Sequence, residues 1–184
     1  MSLTVIIPVK NEEDLILKTL NEFQNSWIIN IDHEILIIND NSSDRTAELI
    51  TNSSFTKLKT ILIDNTKIGL GSAITCGIDN SSKELVSIFM ADMSDNLDDL
   101  KLYYEKMKND QTLDSVFGSR FIRHSKITNY PKFKFILNRL ANNIIKLVFF
   151  SKYNDFTNAF KIYKKKTLEE ISPLISESFN IFLE

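Results

Sequence analysis

Three apolar runs in this chain each stop abruptly at a polar cluster, and that repeated break constrains the fold most. Leu3-Thr-Val-Ile-Ile-Pro8 is β-branched and closed by proline. His33 to Asn39 carries Ile-Leu-Ile-Ile and runs into Asn39-Asp40-Asn41-Ser42-Ser43-Asp44. Val86-Ser-Ile-Phe-Met-Ala runs into Asp92, Ser94, Asp95 and Asn96. Short unbroken apolar runs of this kind read as strands buried on both faces. The third run gives a strand over Leu85 to Met90, and Thr60-Ile-Leu-Ile within Lys57 to Asp64 and Ser115-Val-Phe-Gly-Ser119 complete a set of five strands.

Helical patterns separate them. Asn11 is placed to cap a helix with acids at Glu12, Glu13 and Asp14 and apolar residues at Leu15, Leu17, Leu20 and Phe23. The Asn39–Asp44 cluster starts a helix through Ala47, Leu49 and Ile50, and Gly69 and Gly71 open one over Ser72 to Asp79. Asn96 or Asp95 caps a helix with Asp98 and Asp99 in its first turn and Lys106 and Lys108 in its last. A longer amphipathic helix spans about Lys132 to Phe149, and a short one Lys166 to Ile171. Asp155 to Tyr163 and Phe179 to Glu184 read as strands. Strand and helix alternate through the first two thirds, which predicts an α/β domain with a mostly parallel sheet and helices on both faces. In such a sheet ligands bind beyond the carboxyl ends of the strands, where Pro8-Val9, Asn39-Asp40 and Met90-Ala91-Asp92 should meet.

Several functions are excluded early. A net charge of −2 supplies no field for nucleic acid. A single cysteine, Cys76, permits no internal disulfide and reads as a core residue. His33 and His124 have no partner at metal-ligand spacing and read as surface or strand-end residues. Neither a P-loop nor a dinucleotide fingerprint is present, so Gly69 and Gly71 read at least as well as a tight turn with positive φ as a phosphate loop. No apolar stretch reaches the roughly 20 residues of a membrane span, so the expectation is a soluble, cytoplasmic chain.

Six segments taken in order are more specific than any one alone. Val5-Ile-Ile-Pro-Val-Lys-Asn-Glu-Glu13, Ile37-Ile-Asn-Asp-Asn-Ser-Ser-Asp-Arg-Thr46, Gly69-Leu-Gly-Ser-Ala73, Met90-Ala-Asp-Met-Ser-Asp95, Gly118-Ser-Arg120 and Asp155-Phe-Thr-Asn-Ala-Phe-Lys-Ile-Tyr163 together resemble the family 2 glycosyltransferases of the GT-A fold. Their order matches the branch that includes dolichol- and polyprenol-phosphate sugar synthases. The resemblance covers the whole chain and implies one catalytic domain over residues 1–184, truncated after Glu184.

The resemblance also implies roles. Pro8, Val9, Asn11, Glu12, Asp40, Ala91 and Asp92 would line a UDP- or GDP-sugar, with Asp40 at the base. Asp92, with Ser94 and Asp95, would hold Mg²⁺ or Mn²⁺ against the diphosphate, since these hard cations take one or two carboxylates plus phosphate oxygens. Asp92, Arg120 and Asp155 would be catalytic, and Lys134, Asn138 and Arg139 would meet the acceptor. The implied reaction is inverting transfer to a polyprenyl phosphate. A saccharide hydroxyl acceptor, which needs a carboxylate base from Asp155 or Glu184, and a silent nucleotide-binding relative are the alternatives.

Departures from the family pattern are specific. Met90 stands at the first acid of the usual Asp-Ala-Asp, as in some members with Met-Ala-Asp-x-Ser-Asp, so a subfamily variant is expected. Ala159 replaces a glycine, Lys134 an arginine and Asn138 a serine. Lys132 to Phe150 mixes Lys132, Lys134, Arg139 and Lys146 with many apolar residues. It is expected to be a core helix with a solvated basic face for most of its length, or else an interfacial element meeting anionic lipid.

Overall fold

The computed structural model describes residues 1–122 and 132–183. Strands β1 (Leu3–Val9), β2 (His33–Asn39), β3 (Thr60–Asp64), β4 (Leu85–Ile88), β5 (Ser115–Phe117) and β6 (Lys161–Lys164) form one sheet. Their order is β3-β2-β1-β4-β6-β5. β3, β2, β1 and β4 are parallel, and β6 runs antiparallel to both β4 and β5. The chain winds outward from β1 in one direction to β2 and β3, then returns to lay β4 on the other side. That reversal opens a crevice at the carboxyl ends of β1 and β4. Because β6 is antiparallel to its neighbours, the end of β5 and the start of β6 reach the same edge.

Period-two alternation in β1 sends side chains to two cores. Leu3, Val5, Ile7 and Val9 pack with Leu20 and Phe23 of α1 (Ile16–Gln24), Ile50 of α2 (Thr46–Asn52), and Leu100 and Met107 of α4 (Leu97–Asn109). Ile6 joins Leu36 and Ile38 of β2, Ala73, Ile74 and Ile78 of α3 (Leu70–Asp79), and Leu168 of α6 (Lys165–Glu170) on the opposite face. The doubly covered sheet expected from the alternation is present. Asn96 caps α4 as expected, its side chain accepting from Asp98 N at 2.7 Å.

Three local expectations change. Asn11 does not cap α1. It holds a left-handed φ of 57° and its Oδ1 accepts from Ser43 N at 2.8 Å, so a cross-loop bond has replaced the cap. Only Lys161–Lys164 of the Asp155–Tyr163 stretch is strand, because the preceding residues are tied to a helix instead of a ladder. Phe179–Leu183 is a 3₁₀ turn rather than a strand, and Glu184 lies outside the described residues, as does His124. His33 opens β2 and is buried, and Cys76 is half-buried beside the second core.

The largest change is α5 (Lys132–Val148), which is not a core helix. Its outward side carries Phe133 at 74% exposure, with Ile136, Leu137, Leu140, Ile144 and Leu147 also exposed. Phe149 and Phe150, just beyond it, are 72% and 92% exposed. The stripe turned toward the protein is Phe135, Asn138, Asn142 and Ile145, spaced at i, i+3, i+7 and i+10.

Candidate active site

The loops after β1 and β2 are laced together by short polar side chains. Asn11 N donates to Ser42 Oγ at 3.1 Å, Glu12 N to Thr46 Oγ1 at 2.8 Å, and Glu13 N to Asp44 Oδ2 at 3.2 Å. Asp44 also accepts from Thr46 N at 3.0 Å, so it starts α2 and braces the neighbouring loop at once. Glu12 is left facing acids. Burial, then Asp92, then Asp44 raise its carboxyl above the usual range.

Asp40 follows directly on β2 and is buried. Its Oδ1 accepts from Asn65 Nδ2 and from Gly69 N, each at 2.9 Å, and Lys10 Nζ lies 3.4 Å from Oδ2. Burial works against its charge, but the Gly69 N–H, Asn65 and Lys10 outweigh it and hold the carboxyl below its ordinary range. Gly69 can offer that N–H because it sits at φ +123°, and a Cβ there would collide with the Glu177 carbonyl. Gly69 therefore forms a tight turn pinned to Asp40, while Gly71 lies in the first turn of α3 and its N–H donates to Glu177 O at 3.0 Å. Asn65 escaped the sequence reading. Its signal is its place one residue after β3, matching Asp40 after β2.

Asp92 is exposed beyond β4, and its Oδ1 accepts from Ser94 N at 2.9 Å. Asp95 turns the other way. Its Oδ2 accepts from Met90 N at 2.9 Å and so closes the turn after the strand. Burial pushes the Asp95 carboxyl up to about 7, with Asp92 and Asp99 adding to the rise and the Met90 N–H and Arg120 opposing it. Among the described residues no three His, Cys, Asp or Glu side chains converge as a metal cage. Asp95, expected as a second ligand, is directed at the backbone, and Ser94 meets Asp92 through its N–H. The donor set nevertheless fits a hard cation that arrives with phosphate oxygens, for which one exposed carboxylate suffices.

Arg120 and Asp155 meet at the same edge. Asp155 accepts from Arg120 Nε and Nη2 at 2.8 and 2.7 Å and from Arg120 N at 2.8 Å. The Asp155 side chain is fully buried, so it holds the guanidinium instead of standing open as a base. Arg120 Nη2 also donates to Thr157 Oγ1 at 2.9 Å. Pro8 and Val9 end β1, and buried Ala91 accepts through its carbonyl from Thr19 Oγ1 at 2.9 Å. Asn138 and Arg139 lie on α5, half-buried and exposed respectively, while the Lys134 side chain lies outside the described residues.

A mostly parallel sheet with a switch point at β1, an exposed acid past β4 and an Arg–Asp pair past β5 fits a GT-A architecture. The family model for Glycosyl transferase family 2 matches residues 4–172, and the chain belongs to that family. It is 27% identical to a dolichol-phosphate mannosyltransferase of Pyrococcus furiosus over 189 aligned positions, covering 100% of this chain and 52% of that one. The chain thus spans about half the length of that relative and less of others that it matches. Its fold is shared with glucosyl-3-phosphoglycerate synthase from Mycobacterium tuberculosis, solved with Mn²⁺, UDP and phosphoglyceric acid. There the TM-score is 0.75 at 12% identity, over 99% of this chain and 61% of that one. A mannosyltransferase from Pyrobaculum calidifontis, solved with GDP-Man and Mn²⁺, aligns with TM-score 0.65 at 18% identity, over 97% of this chain and 50% of that one.

Proposed function

We propose that this chain is the catalytic unit of an inverting glycosyltransferase that moves a sugar from a nucleoside diphosphate to a polyprenyl phosphate. The observation that carries the reading is spatial. The ends of β1, β2 and β4, with Asp40 and Asp92, open on the edge that also bears the Arg120–Asp155 pair. Relatives named as dolichol-phosphate mannosyltransferase and dolichyl-phosphate glucosyltransferase support the acceptor class.

Pro8, Val9, Asn11 and Glu12 would flank the nucleoside, and Asp40 would meet the base while holding the Gly69 turn. Asp92 would hold Mg²⁺ or Mn²⁺ on the diphosphate, and the cation supplies charge neutralisation to the leaving nucleoside diphosphate. Arg120 adds a fixed positive charge at the same edge, kept in place by Asp155. An acceptor phosphate is already anionic and needs little help from a base, which agrees with an Asp155 committed to Arg120. Asn138, Arg139 and Lys134 would steer that phosphate.

The outward side of α5 favours an acceptor in a membrane. Its exposed apolar residues come with the exposed Arg139 and Lys146, and the sequence of residues 132–150 contains no acid. A basic, apolar face of this kind suits the anionic cytoplasmic leaflet. No helix among the described residues is long and apolar enough to cross a membrane. The test incubates the protein with labelled GDP- and UDP-sugars and Mg²⁺ or Mn²⁺, with and without polyprenyl phosphate. Transfer that requires the lipid phosphate supports the reading. Transfer to glycans alone overturns the acceptor, and absence of donor binding across the panel overturns the enzyme.

A further inference from the structure

Among the described residues of α5, Asn142 is the one polar side chain that is fully buried, at 0% exposure. Its Oδ1 accepts from Phe156 N at 2.6 Å and from Thr157 N at 3.4 Å. Two converging N–H groups fix the orientation of the amide. Nδ2 then donates to Asn138 O at 2.8 Å, one turn back on the helix, and to Thr157 Oγ1 at 3.0 Å. That same Thr157 oxygen accepts from Arg120 Nη2, and the loop so gripped begins at Asp155. Lys161 Nζ holds the loop from its other side, donating to Phe156 O at 3.0 Å. A second contact runs in parallel, since Phe135 of α5 meets the ring of Phe121, next to Arg120, at 5.3 Å between centroids.

The geometry points to Asn142 as a positioning residue: we infer that it carries the seating of α5 into the orientation of the Arg120 guanidinium, through Thr157 and the Asp155 loop. The chemical logic is that of a buried amide using both ends. Its acceptor end shapes the loop, its donor end orders the Thr157 hydroxyl, and Thr157 Oγ1 accepts from Nη2 beside Asp155 Oδ1. The consequence for catalysis rests on the role of Arg120 proposed above, whereas the coupling itself does not.

The test therefore has two arms. The first records the Nε–H signals of the ¹⁵N-labelled full chain, which has four arginines. The Arg120 signal is identified by its loss in Arg120→Lys. It should be sharp in the wild type and should broaden or move toward the free-arginine position in Asn142→Ala. Thr157→Val, which keeps side-chain volume, changes no residue of α5 and removes the oxygen that Asn142 Nδ2 and Arg120 Nη2 share, should do the same and serves if Asn142→Ala folds poorly. An Arg120 signal unchanged in the folded variants overturns the inference. The second arm measures transfer from GDP-mannose and UDP-glucose to polyprenyl phosphate. Asn142→Ala should lower kcat about tenfold or more with little change in donor KM, and should add nothing on top of Arg120→Lys. Equal losses in both backgrounds overturn the coupling. Full activity of Arg120→Lys would instead remove the role of Arg120 in the proposed reaction, with the first arm still deciding on Asn142.

Discussion

Asp155 grips Arg120 three times, through the backbone N–H, Nε and Nη2, all within 2.8 Å, with its own side chain fully buried. A carboxylate so engaged is a fixture. Charge-assisted, bidentate pairs of this kind are the strong ones, and breaking one leaves a charge without its partner.

Asp155→Asn should therefore cost about 1–3 kcal/mol of stability, less than a wholly buried pair because the Arg120 side chain keeps some contact with water. Urea unfolding checks this. The same substitution should lower transfer by about 100-fold, because a guanidinium displaced by an ångström no longer meets the phosphate.

Asp92→Asn separates binding from folding. Asp92 is exposed, and asparagine retains an acceptor for Ser94 N–H. Stability should stay within about 0.5 kcal/mol. Calorimetric binding of UDP or GDP in the presence of Mn²⁺ should fall at least about tenfold, and the difference between Mn²⁺ and EDTA should disappear.

Asp95 predicts a pH dependence whose sign is fixed. Its folded carboxyl titrates near about 7, above its ordinary value of 3.8, so the native state holds the proton more tightly than the unfolded chain. Stability at this site is thus full at low pH and is lost as pH rises from about 4 to about 7. In metal-free buffer Asp95→Asn, which keeps an acceptor for Met90 N–H, should match the wild type near pH 4. It should exceed the wild type by on the order of 4 kcal/mol at pH 8. Thermal unfolding across that range measures the gap.

On α5, Leu140→Glu with Ile144→Glu should leave stability nearly unchanged, because both side chains are more than half exposed. Co-sedimentation with phosphatidylglycerol vesicles should fall about tenfold or more, as buried apolar area is lost and like charge is added. Equal sedimentation of both proteins would exclude α5 as the lipid-facing element.

The sequence alone determined the first five strands, the parallel winding of β1 to β4 and the sheet edge at which the polar clusters gather. Local signals suffice there: Leu3–Pro8 and Ile35–Ile38 are unbroken apolar runs, and Asn39–Asp44 and Asp92–Asn96 are turn chemistry at their ends. Six short motifs in order were enough to place the family. Tertiary structure decided how the polar residues are used. Asp40 and Asp155 look like free acids in the sequence, yet their partners Gly69 N and Arg120 come from 29 and 35 residues away. Asn11 left its cap for a strand-crossing bond, and Asp95 turned from the solvent to Met90. The periodicity of α5 reports that the helix has an apolar side, and it is blind to whether protein covers that side. Asn142 faces inward, where Phe156 N, Thr157 N and Thr157 Oγ1 meet its amide, and the apolar side is left outward as a consequence.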